Sequence, residues 1–239
     1  MKGKFYGIGV GPGDPDLITI KAKKILDEVD IILAPETKTG KGSTALNIAK
    51  PHLNENIKII ERKFPMTYDI EVLNKSYDEI AKLIKDLVDR GNKVAFLTLG
   101  DPMVYSTYIY LFERLKDKDI EIETVPGITS FCAIASRAGI PLGENEETIA
   151  IVPSVYYEKG DEKLNKILDS VNNVVFMKAS GNIDKLIDKL EETGHKEGSV
   201  FVSRLGLDDE VIENNIEKRR EIKNNYLSTL IAKKNIKGR

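Results

Sequence analysis

Sulfur and imidazole are scarce in this chain. One cysteine, Cys132, and two histidines, His52 and His195, occur in 239 residues. A single cysteine rules out an intrachain disulfide and fits a reducing compartment. So few soft ligands leave almost no His/Cys set for zinc, and no bound metal is expected. Long apolar runs are missing too, and the longest fall far short of the ~20 residues that span a bilayer. The chain reaches Gly13-Asp14-Pro15-Asp16 without the apolar stretch of a signal peptide. Nor is there an excess of one charge. Lys and Arg number 36 against 38 Asp and Glu, a net charge of −2, which gives no global field for nucleic acid. These absences point to a cytoplasmic protein without a nucleic-acid or membrane partner.

What is present is the material of a globular chain, 41% hydrophobic and 31% charged. At ~150 residues per domain the length allows one large domain or two small ones. Short apolar runs alternate with longer segments of helical period, the pattern of α/β architecture. Strands are expected at 5–10, 31–34 (stopped by Pro35), 57–60, 94–99 and 120–125. Helices are expected over 19–28, over a short stretch capped by Ser43 and ending before Pro51, and over 70–90, 108–115 and 129–138. A polar, turn-rich stretch near Pro141–Glu147 sets the expected boundary between domains 1–143 and 144–239. In the second half, strands at 149–152 and 174–177 alternate with helices at 162–168 and 183–190. Three further strands, at 200–202, near 211–212 and at 227–232, lack long helices between them. That predicts a mixed sheet with antiparallel members.

Four glycine-bearing turns are candidates for chemistry. Gly7-Ile8-Gly9-Val10-Gly11-Pro12-Gly13-Asp14 follows a strand and precedes a helix, but both registers fail the G-x-G-x-x-G dinucleotide pattern at Pro12 or Asp14. Gly40-Lys41-Gly42-Ser43-Thr44 fails the phosphate-loop pattern because Lys41 precedes the last glycine. A nucleotide-dependent transferase is disfavoured on both counts. Leu99-Gly100-Asp101-Pro102-Met103-Val104-Tyr105-Ser106-Thr107 and Val125-Pro126-Gly127-Ile128-Thr129-Ser130 each leave the C-terminal end of a strand, the edge where open α/β sheets bind ligands. Asp101 and Thr129 also suit simple helix caps.

The glycine motif from Gly7 to Thr19, Gly100-Asp101-Pro102 and Val125-Pro126-Gly127-x-Thr129-Ser130 resemble the three signatures of the tetrapyrrole methylases. The resemblance extends over almost the whole chain, including Val174–Lys178 and Tyr226–Ala232. Within the family, the 100–107 segment, Ala34-Pro35 with Lys38, Gly42-Ser43-x-Ala45 and Ser130-Phe131-x-Ala133 are similar to the C20-methyltransferases of precorrin-2 and cobalt-factor II in cobalamin biosynthesis. Uroporphyrinogen-III methylation is the alternative, and Tyr105-Ser106 departs from the phenylalanine–glycine pair usual there. A non-catalytic binding module of the same fold would retain the sheets and lose cofactor affinity.

The resemblance implies two α/β domains with mixed sheets, S-adenosylmethionine in the interdomain cleft and S-adenosylhomocysteine as product. Carried over residue by residue, the cofactor-binding positions are Pro12, Leu99, Gly100, Asp101, Val104, Thr129, Ser130, Met177, Leu205 and Thr229. Asp14 and Tyr105 are candidates for the catalytic proton transfer. A homodimer follows from the family alone. The ring substrate carries many carboxylates, so local cations must attract it. Lys38, Arg62 and Arg204 are the candidate substrate-binding residues, with Lys41, Lys63, Arg137 and Lys178 near other strand ends.

Overall fold

The structure, a computed structural model, describes residues 3–36, 42–65, 67, 69–153 and 162–234. Lys38 and Lys41 lie outside the described residues. Residue contacts divide the chain into two compact units, Met1–Thr129 and Ser130–Arg239. By this division the 141–147 stretch, where the sequence placed the boundary, lies within the second unit. The helix after Thr129 packs against the last strand of the chain.

The first unit holds a five-stranded sheet of β1 (Lys4–Gly9), β2 (Ile31–Glu36), β3 (Lys58–Lys63), β4 (Lys93–Thr98) and β5 (Glu121–Val125), in spatial order β3-β2-β4-β1-β5. All four pairings are parallel. Strand alternation sends successive side chains to opposite faces. Phe5, Leu33, Val94 and Phe96 meet α3 (Ile70–Asp89) and α4 (Tyr108–Leu115) on one face. Tyr6, Ile8, Ile32, Ala95 and Leu97 meet α1 (Ile20–Leu26) and α2 (Thr44–Ala49) on the other. Both faces are covered, which is why these strands read as near-continuous apolar runs.

Local chemistry starts the helices where the sequence suggests. Thr19, Ser43 and Asp69 cap α1, α2 and α3 by accepting backbone N–H bonds, and Gly91 follows α3 in a left-handed conformation. Two expectations are corrected. Pro35 does not stop β2, which runs on to Glu36. Its pairing with β4 ends at Leu33 while that with β3 continues, so the missing N–H of Pro35 is needed on one side at most. The apolar period of the 70–90 helix would also put Ile70 on its buried face, but Ile70 is exposed; the covered stripe begins a turn later, at Leu73 and Tyr77.

The second unit carries β6 (Ile149–Pro153), β7 (Asn173–Met177), β8 (Val200–Ser203), β9 (Val211–Glu213) and β10 (Ser228–Lys233), in order β6-β7-β10-β8-β9. Only β6 and β7 pair in parallel, so the sheet is mixed as expected. Val174, Phe176, Phe201, Leu230 and Ala232 pack on one face against α6 (Glu162–Ser170) and α7 (Ile183–Glu192). The remaining helix, α5 (Ser130–Ala138), contacts β10. Among the described residues no helix is long and apolar enough to cross a membrane.

Candidate functional site

Three turns converge at the C-terminal edge of the first sheet. β1 and β4 are neighbours, with Gly9 opposite Thr98, and the chain stays paired beyond them. Val10 N–H donates to the Thr98 carbonyl at 2.9 Å, and Gly100 N–H donates to the Gly11 carbonyl at 2.7 Å. The turn after β5 closes on the same spot. A Cβ on Gly127 would fall 2.2 Å from the Gly100 carbonyl oxygen, and one on Gly9 would fall 2.6 Å from both that oxygen and the Gly127 nitrogen. The glycines at 9 and 127 are therefore required by backbone meeting backbone.

Asp101 fastens this junction. Its Oδ1 accepts Met103 N–H at 2.8 Å and its Oδ2 accepts Gly127 N–H at 3.0 Å. The same carboxylate thus closes its own turn and ties it to the neighbouring one. It does not cap a helix: α4 begins after Thr107. Ser106 donates its hydroxyl to the Pro102 carbonyl, tightening the loop. Next to this turn, the Thr98 hydroxyl is buried and has no hydrogen-bond partner among the described residues. A polar ligand group at the turn would satisfy it.

Most candidates of the first unit fall on this junction. Pro12 is buried just beyond the Gly11–Gly100 pairing, Leu99, Gly100, Asp101 and Val104 form the second turn, and Thr129 ends the third. Ser130 opens α5 in the second unit. Met103, Tyr105 and Ile128 are exposed apolar side chains on these turns. Tyr105 holds φ 47°, a left-handed conformation that non-glycine residues rarely adopt. Asp14 is exposed and caps a short 3₁₀ turn, accepting Asp16 N–H at 2.9 Å.

In the second unit, Met177 and Thr229 are directly opposed partners on β7 and β10, and Leu205 is buried just past β8. Arg204 donates to the Asp209 carboxylate. Arg62, near the end of exposed β3, donates to the Glu61 carbonyl at 3.1 Å. Arg137 pairs with Glu210 at 3.1 Å. Sequence reasoning missed Thr98, because a buried strand threonine carries no signal until its partners are known.

A groove of about 480 Å³ lies elsewhere, between α3 and α4. Its Lys85 and Arg114 are already paired with Asp89 and Asp78, and none of the candidate residues lines it. Among the described residues no cluster of His, Cys, Asp and Glu could hold a metal ion.

Comparison with known proteins agrees with these signatures. The family described as Tetrapyrrole (Corrin/Porphyrin) Methylases matches residues 4–218. The chain is 35% identical over 210 residues to the cobalt-precorrin-2 C(20)-methyltransferase of Salmonella typhimurium, covering 88% of this chain and 87% of that one. It is 36% identical to a probable cobalt-precorrin-2 C(20)-methyltransferase of Methanocaldococcus jannaschii, covering 97% and 96%. Among solved structures, a cobalt-precorrin-4 methyltransferase superposes with a TM-score of 0.74 at 21% identity, covering 96% and 94%. A Thermus thermophilus uroporphyrin-III C-methyltransferase complexed with S-adenosylhomocysteine superposes at 0.68 and 21%, covering 96% and 92%. Together with the three signatures on one sheet edge, these matches show that the chain belongs to the tetrapyrrole methylase family.

Proposed function

We propose that this protein transfers a methyl group from S-adenosylmethionine to C20 of precorrin-2 or its cobalt complex in cobalamin biosynthesis. The observation that carries the reading is the identity of 35–36% with two proteins named for that reaction, over nearly full length. Uroporphyrinogen-III methylation is the second reading. A relative of that name, from Cyanidium caldarium, is 30% identical over 80% of the chain.

The residues present fit the donor. S-adenosylmethionine supplies a methyl group on a sulfonium, an activated leaving group that needs no covalent enzyme intermediate. Leu99–Asp101 present backbone groups to a zwitterionic ligand, and the orphaned Thr98 hydroxyl adjoins them. Met177 and Leu205 offer apolar walls of the kind an adenine ring takes. The chain's main contribution is alignment, which supplies on the order of 7–11 kcal/mol in well-oriented displacements. Asp14 and Tyr105 are the proposed groups for moving the proton from the methylated carbon. Asp14 accepts Asp16 N–H through Oδ1, and its carboxylate keeps further lone pairs, so both residues stay in the proposal. Arg62 and Arg204 are proposed to meet substrate carboxylates, and Lys38 belongs to the same proposal. A homodimer belongs to it as well, and sedimentation equilibrium checks it against the 26.7 kDa of one chain.

The direct test is anaerobic incubation with S-adenosylmethionine and, separately, precorrin-2, cobalt-precorrin-2 and uroporphyrinogen III. Mass spectrometry should find one added methyl on a precorrin-2 form, and NMR should place it at C20. Methylation of uroporphyrinogen III alone would replace this reading with the second one.

A further inference from the structure

Two cations of the second unit stand where the backbone favours glycine. Lys178 follows β7 with φ 61°, and Arg204 follows β8 with φ 54°. Left-handed backbone is strained for both residue types, and such strain concentrates at functional positions. β10 pairs antiparallel with both β7 and β8, so those two strands run the same way. Lys178 and Arg204 therefore occupy the same end of the sheet, on either side of the start of β10. The bends have a backbone reason: Ala179 N–H donates to the Ser228 carbonyl and Arg204 N–H to the Leu227 carbonyl, each at 2.8 Å. Glycine would permit both bends without strain. The backbone thus accounts for the turns and leaves the choice of cations unexplained.

Their side chains are used differently. Arg204 is held by Asp209. Lys178 makes no ion pair among the described residues; its Nζ lies 5.5 Å from the centre of the Tyr226 ring. Tyr226 is 49% exposed, and a cation–π contact open to water is a weak hold. A plane of aromatic carbon beside an uncommitted ammonium matches a flat macrocycle with carboxylate arms.

We propose that Lys178 and Tyr226 form a binding subsite for the tetrapyrrole. The ammonium leaves the ring face to pair with a peripheral carboxylate, and the uncovered tyrosine lies against the macrocycle. This rests on the tetrapyrrole reading above. It also answers the charge problem, since a chain of net charge −2 must attract a polyanion through local cations.

The test uses Lys178→Gly, which removes the cation and relieves the strain, so the variant should melt no lower than the wild type. Uroporphyrin, a stable octacarboxylate macrocycle, is the probe, with tetracarboxylate coproporphyrin beside it. Lys178→Gly should weaken uroporphyrin binding about tenfold at low ionic strength, and the difference should shrink as salt rises. S-adenosylhomocysteine affinity, measured by calorimetry, should stay within about twofold. Lys178→Arg should restore most of the uroporphyrin affinity, and Tyr226→Leu should weaken both porphyrins. Unchanged uroporphyrin binding in Lys178→Gly, or an equal loss for both ligands, overturns the subsite. Wild-type turnover separates the two ideas. If no tetrapyrrole is methylated, the functional reading fails; if one is and its KM is unchanged in Lys178→Gly, the subsite alone fails.

Discussion

Asp101 shows how much a residue's role depends on what the fold brings beside it. The sequence places it in a turn after the strongest strand, where it could cap a helix or meet a ligand. In the structure both carboxylate oxygens accept backbone N–H groups, one of them from a turn 26 residues away. A carboxylate oxygen has further lone pairs, so bracing the turns and contacting a ligand are compatible. Asp101→Ala would strand two donors, each worth about 1–3 kcal/mol if left unsatisfied. The loss falls on a turn at a strand end, so the protein should remain folded by circular dichroism. Calorimetry should show S-adenosylhomocysteine binding weakened about tenfold or more. Unchanged affinity would make Asp101 a brace with no bearing on the cofactor.

At the scale of elements, the turns are positioned by close approach. Gly127 has no room for a side chain, because the carbonyl of Gly100 lies where its Cβ would go. Overpacking a rigid junction costs about 1–3 kcal/mol. Gly127→Ala should therefore lower the melting temperature and weaken cofactor binding together, since one displacement moves all three turns. Gly139 is the control: it has φ 67°, but a Cβ there would meet nothing within 4 Å. Gly139→Ala should cost only left-handed strain and leave cofactor affinity alone. A Gly127→Ala variant with wild-type affinity would mean that the junction is not the site. The strands and helices themselves are largely legible in the sequence, because their apolar periods and caps are local. Pro35 is not, because its tolerance depends on where β4 stops pairing with β2, which no neighbouring residue reveals.

For the whole molecule, the second unit contains a device that ties stability to pH. His195 is fully buried, its Nδ1 lies 3.0 Å from the Thr193 hydroxyl, and its Nε2 has no hydrogen-bond partner among the described residues. Burial, aided by Lys234, pushes its pKa below the usual 6.5, against the opposing effects of the Val171 backbone and Asp169. The unfolded chain therefore binds a proton that the folded chain refuses. Stability should fall as pH drops below about 6.5 toward the folded-state value. Glu217 acts lower on the scale. Its bonds to Arg220 and Lys196 hold its pKa down to about 2, so its contribution is present above the ordinary carboxylate range and lost as pH falls toward 2. The Glu217 side chain is only half-buried, so salt should weaken that part. Melting temperatures between pH 8 and 5 should decline in the wild type, and His195→Gln should flatten the decline. An equally steep decline in the variant would assign the effect to other groups.

The sequence by itself determined the α/β class, nearly every element, the mixed character of the second sheet and the family, because hydrophobic period, capping residues and turn motifs are written in neighbouring positions. It also put most of the cofactor candidates of the first unit in turns that the structure brings to one junction. Only the tertiary structure decided that Gly9 and Gly127 are small because they touch Gly100, that Asp101 spans two turns, that the Thr98 hydroxyl is buried, and that Arg204 is engaged while Lys178 rests on Tyr226. Each of those facts is a contact between residues distant in the chain. Residue spacing cannot reveal such contacts until strand order and register have brought the partners together.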